Sequence, residues 1–142
     1  MDIEFGHLGN LDTRGTGWFL GHSDWTRESS GQGSPLRYMP MELRSHTLTM
    51  KWMAHVAGDP RGNGKPVSEG RTLSILVGTP GRFRLQFSRH AHFPEQDTVE
   101  HVLESVGHFS IWGAGIHHRY EVDADCTILT LRWIPEPITT IG

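Results

Sequence analysis

Apolar and polar residues exchange places every second position along much of this chain, which is the spacing of β-strands, and no stretch carries a long helical stripe. Between Glu42 and Val56, Leu48, Met50, Trp52 and Ala54 fall on one face, while Thr47, Thr49, Lys51 and His55 fall on the other. Periodicity does not decide which face looks inward; solvent is the expectation for the Lys51 and His55 face. Thr72 to Val77 is an apolar, β-branched run closed by Gly78, and Arg82 to Ser88 alternates Phe83, Leu85 and Phe87 with Arg82, Arg84 and Gln86. The G-T-P-G segment between these two runs predicts a hairpin.

Val99 to Leu103 and His108 to Trp112 read as further strands around a turn at Gly107. Tyr120 to Val122 and Thr127 to Trp133 are expected to pair across the D-A-D bend. Gly17 to His22 is a short candidate strand, whereas Ser23 to Pro40 is rich in turn formers and predicts a long loop, with Trp25 as a candidate lid residue. The prolines after Trp133 take the chain out of any ladder. Short strands at turn spacings of about ten residues predict an all-β sandwich or barrel.

Composition narrows the function. A chain of 142 residues suits one domain, 1–142, with a barrel over roughly 17–133, an irregular arm over 1–16 and a tail over 134–142. The formal charge of −3 comes from interspersed residues of both signs, so neither nucleic acid nor a membrane is an expected partner. The lone cysteine, Cys126, sits in an apolar run and reads as a buried, inert thiol. With no leader-like start and no long apolar span, a soluble cytoplasmic protein is expected.

The segment Gly107 to Tyr120, G-H-F-S-I-W-G-A-G-I-H-H-R-Y, places Gly107, Gly113, Gly115 and His118 at the spacings of a Gly, five residues, Pro-x-Gly, two residues and a His. Gly113 stands where that pattern has Pro. The segment resembles the second motif of the cupins, and the resemblance implies a double-stranded β-helix, a jelly-roll barrel with a pocket at one mouth, and a homodimer. The family's first motif, His-x-His with a following Glu and Gly, is degraded here. Anchored on Gly78, its Glu position falls on Arg71, its histidine region holds Gly64 to Ser68, and no histidine lies between Val56 and Arg89. One of the four usual metal ligands, His118, is left.

The expected ligand is therefore a small molecule, and the expected cofactor is none. His118, with Tyr120 two residues on along the same face, is the candidate acid–base pair, and the Arg71 guanidinium is a candidate anion contact. Trp52, His55, Glu69 and Phe83 are candidate pocket-lining residues. An isomerase, cyclase or dehydratase working without metal is the leading expectation. One alternative is a dioxygenase-like enzyme with a divalent metal on His55, Glu69, His117 and His118. Another is a non-catalytic sensor or assembly module. His90 and His92 have a metal-pair spacing but sit in a polar break, where surface histidines are expected.

Overall fold

The computed structural model describes residues 11–29, 37–43, 47–79 and 81–134. Parts of three expected features lie outside that range: the arm before residue 11, the middle of the long loop and the tail after residue 134. Among the described residues eight strands form two antiparallel sheets: β1 Trp18–Leu20, β2 Thr49–His55, β3 Arg71–Gly78, β4 Arg82–Ser88, β5 Thr98–Leu103, β6 Phe109–Trp112, β7 His117–Ala124 and β8 Cys126–Trp133. One sheet runs β1-β2-β8-β3-β6 and the other β5-β4-β7. This is the all-β architecture expected from the alternation, in the jelly-roll form that the cupin resemblance implies.

Connectivity departs from the expected hairpins. β3 and β4 do not pair: β3 lies between β8 and β6, and β4 lies between β5 and β7. Likewise β7 pairs with β4, whereas β8 pairs with β2 and β3. Both turns are corners that carry the chain from one sheet to the other. They are packed too tightly for side chains at their point of contact, since a Cβ on Gly81 would lie 2.3 Å from the Asp125 carbonyl oxygen and 2.5 Å from the Cys126 Cβ. The long loop also holds one element that alternation did not show, a six-residue helix, α1 Asp24–Ser29, opened by Ser23, whose carbonyl accepts from the Thr26 and Arg27 amides. Among the described residues no helix is long and apolar enough to cross a membrane.

Leu76, Phe83, Leu85, Leu103, Trp112, Tyr120, Val122, Cys126 and Ile128 meet between the sheets as one buried cluster. Burial pushes the Cys126 thiol up to about 11, so it stays protonated and unreactive, as expected for an apolar run. The turn after β2 closes one end of the sandwich. Gly58 donates to the Val122 carbonyl at 2.8 Å, and a 3₁₀ turn over Pro60–Gly62 presses on β7 so closely that a Cβ on Gly62 would lie 1.9 Å from the Tyr120 carbonyl oxygen.

Two substitutions test this packing by denaturant unfolding. Leu76→Ala, at a position with no exposed surface, is expected to cost about 2–5 kcal/mol. Gly62→Ala is expected to destabilise comparably because backbone, not a movable side chain, blocks the new methyl; wild-type stability in either variant would contradict the packing described.

Candidate functional site

A cavity of about 450 Å³ opens between the sheets, lined from β2 by Lys51 and His55, from β3 by Thr72 and Ser74, and from β8 by Ile128, Thr130 and Arg132. Phe83 and Leu85 of β4 and His118 and Tyr120 of β7 face them, with Trp112 of β6 and Trp18 of β1 at the sides. The segment Lys65–Glu69 forms the rim. It is held by the glycine turn after β6, where Gly115 donates to the Ser68 carbonyl at 2.8 Å and Ser68 donates to the Ile116 carbonyl at 3.1 Å. Gly115 has φ +79°, a conformation that glycine adopts without strain.

Register shows why these residues point inward. Lys51 stands opposite Thr130, Thr130 opposite Ser74, and Ser74 opposite Ser110, so one polar row crosses four strands on the inner face. The neighbouring row of Trp52, Leu129, Ile75 and Phe109 consequently faces outward. The expectation that Lys51 and His55 face solvent is therefore reversed. Trp52 lies on the opposite face of β2 from the cavity and does not line it.

Arg71 is also displaced from the expected site. It is exposed, stands opposite Trp133, and lies on the outward phase of β3, while Thr72 takes the inward position. The cavity's guanidinium comes from Arg132, which the sequence reading did not single out. His118, Tyr120, His55, Glu69 and Phe83 do line the cavity. His117, next to His118, lies on the other face of β7. His90 and His92 are exposed. Trp25 lies on α1 beside Trp18, to whose carbonyl its indole donates at 3.2 Å.

Two clusters give the site its chemistry. In the first, the Asp59 carboxylate is buried and accepts from His55 Nδ1 at 2.8 Å, from Arg61 Nε at 2.9 Å and from Arg61 Nη2 at 2.6 Å. The Arg61 guanidinium holds the Asp59 carboxyl well below the usual carboxylate range. His55 packs against the Phe83 and Tyr120 rings, each at a centroid distance of 5.1 Å, and burial lowers its pKa against the pull of Asp59. Tyr120 is raised to about 12, chiefly by burial, so its phenol stays protonated.

The second cluster is cationic. Lys51 Nζ and Arg132 Cζ lie 5.2 and 5.0 Å from the centroid of the Trp18 ring, and Lys65 Nζ lies 5.7 Å from that of Tyr120. Among the described residues none of these three cations makes a hydrogen bond or ion pair. Burial, then the neighbouring cations, lower Lys51 to about 8. The same field, after burial, brings His118 to about 4; its Nδ1 is buried without a partner among the described residues, as is the indole nitrogen of Trp112.

His118 thus enters the fold neutral, and the linkage has a definite sign. Its folded pKa of about 4 lies below the ordinary 6.5, so the unfolded chain takes up the proton first as the medium is acidified. Stability from this group is complete above about pH 6.5 and is lost towards pH 4. Denaturant unfolding across that window should show a shallower loss in His118→Phe than in the wild type, and identical slopes would refute a buried neutral imidazole.

No protein-family profile matches the chain, and no curated protein resembles it in sequence. Solved structures do resemble it in fold. Hydroxypropylphosphonic acid epoxidase from S. wedmorenis matches at a TM-score of 0.50 with 10% identity, over 63% of this chain and 45% of that one. The iron(II) form of HppE gives the same values, and the cobalt(II) form in complex with Tris buffer matches over 63% and 48% at a TM-score of 0.50. The chain spans less than half the length of these proteins. The likeness supports the cupin-like fold, and it is the finding against the expectation of a protein with no cofactor, because HppE, which shares that fold, has been solved in iron(II) and cobalt(II) forms. The expected ligand set does not assemble, however. Among the described residues no three His, Cys, Asp or Glu side chains gather to hold a metal, His55 is committed to Asp59, and three cations share the cavity with His118. What the comparisons and the geometry together support is a cupin-like jelly-roll around a cationic cavity.

Proposed function

We propose that this protein binds a compact organic anion in the cavity between its sheets. One observation carries the reading: among the described residues Lys51, Lys65 and Arg132 line the cavity without ion pairs, and Glu69 is the one carboxylate that lines it with them. Gathering like charges in a partly desolvated space is unfavourable unless an anion offsets it, and a guanidinium with two ammonium groups suits a carboxylate, phosphate or phosphonate. The epoxidase of the same fold is named for a phosphonic acid, a ligand of this charge class. A cavity of about 450 Å³ also weighs against an interior merely filled with side chains.

For chemistry on the bound anion, His55 is the better-supported base, because the Asp59 carboxylate fixes its ring. Tyr120 serves as a hydrogen-bond donor beside it. His118, at about 4, is a weak base at neutral pH and is better suited to lining the pocket. The metal-dependent alternative is the second reading, and the iron(II) and cobalt(II) neighbours support it better than they support a metal-free enzyme. The homodimer implied by the cupin resemblance belongs with this proposal; the exposed Phe109 and Ile111 on the outer face of the larger sheet support it. So does the cytoplasmic setting, which rests on the lone, buried Cys126.

Thermal unfolding with added malonate or phosphonoacetate tests the anion reading. At about a hundredfold excess over Kd, either ligand should stabilise the fold by about 2.7 kcal/mol. Neutral malonamide should not, and a Lys65→Met, Arg132→Met double variant should lose the response. No shift, or an equal shift in the double variant, would refute anion binding. Anaerobic iron(II) titration followed by metal analysis tests the second reading: stoichiometric iron that is lost in His118→Ala supports it, and none retained removes it.

A further inference from the structure

The sequence contains two lysines, Lys51 and Lys65, against eleven arginines, and both lysines line the cavity. Lysine, like arginine, is ordinarily a residue of the outer surface. Inside a cavity the two differ. A guanidinium is permanently charged, whereas an ammonium can lose its proton and become a nucleophile.

We propose that Lys51 is a nucleophilic amine that condenses with the carbonyl carbon of a small oxo acid, whose carboxylate is held by Lys65 and Arg132. The proposal rests on the anion-binding reading above and adds the carbonyl to it. Lys51 is the better placed of the two amines because it sits within β2, fixed by its pairing with Thr130, while Lys65 belongs to the rim segment. The Lys51 ammonium and the Arg132 guanidinium lie 5.2 and 5.0 Å from the centroid of the Trp18 ring and line the same cavity, so a ligand carboxylate on Arg132 leaves its adjacent carbonyl within the space that Lys51 shares. No carboxylate among the described residues holds Lys51 in its charged form by an ion pair, and its lowered pKa agrees with this placement.

The step balances without an oxidant or a reductant. The neutral amine forms a carbon–nitrogen bond as the carbonyl π pair moves to oxygen, which takes up a proton while the nitrogen loses one. The resulting carbinolamine takes up a second proton on its hydroxyl and expels water, leaving a protonated imine. The ligand carboxylate beside Arg132 keeps its charge throughout.

Reductive trapping tests the proposal. The full chain is incubated with pyruvate, 2-oxoglutarate or acetoacetate and sodium cyanoborohydride, and adducts are located by mass spectrometry after cleavage at arginine, which separates the two lysines because Arg61 lies between them. Labelling of Lys51 by at least one oxo acid is expected to exceed that of Lys65 and the terminal amine by about tenfold or more, because a carboxylate held by Lys65 and Arg132 raises the effective concentration of the carbonyl at Lys51. Neutral acetone, which has no carboxylate to be held, should show a much smaller preference for Lys51, and a preference equal to that of the oxo acids would refute the carboxylate contact. Lys51→Arg should abolish the preferred adduct. If malonate stabilises the protein but Lys51 is labelled no faster than the terminal amine, the nucleophile is refuted and the anion reading survives. If malonate does not bind either, both fail.

Discussion

Half of the five-stranded sheet is inverted relative to an ordinary sandwich, and the site follows from that constraint. The row of Lys51, Thr130, Ser74 and Ser110 faces inward, while the adjacent row of Trp52, Leu129, Ile75 and Phe109 faces out. A polar inner row has to find partners. The Ser74 and Thr130 hydroxyls lie 3.3 Å apart, and Ser110 lies 2.5 Å from His101 Nδ1. Lys51 finds none among the described residues. One row further in, Met53, Ile128 and Leu76 return to apolar packing, so the interior grades from a charged mouth to a closed, oily end.

That closed end depends on Asp59. Its carboxylate ties the turn after β2 to His55 and Arg61, and the same turn lies against the Tyr120 backbone through Gly62. A buried carboxylate with so many donors is stable as an anion, whereas losing one donor would leave charge uncompensated in a dry place. Fold and candidate chemistry therefore share this group: the bonds that close the barrel also orient the imidazole that faces the cavity.

Strand positions were legible because period-two alternation depends on local geometry. Arg82–Ser88 was read to its limits, and the glycine spacing from Gly107 to His118 located the turn that holds the rim. Sheet membership was not legible: a tight turn such as that after Gly78 looks alike whether the next strand folds back beside the last or crosses to the opposite sheet. Phase was not legible either. With an apolar outer face and a polar inner one, hydrophobicity pointed the wrong way for Trp52, and a shift of one residue exchanged Arg71 for Thr72. The lysine pair left a compositional trace, two lysines against eleven arginines, but only the fold brings Lys51 and Lys65 to one space.

The two outer surfaces of the molecule are chemically unlike. On the smaller sheet Arg84 pairs with Glu121 and with Asp123 at 2.7 Å, and Arg82 pairs with Glu104 at 2.8 Å, so that side is a hydrated lattice of opposite charges. The larger sheet instead presents an oily slab ending in Phe109 and Ile111, both more than half exposed. Were two such slabs to meet face to face, each remaining flank would be wetted and would offer no purchase for a third, so unlike flanks of this kind would favour a closed pair over a growing filament.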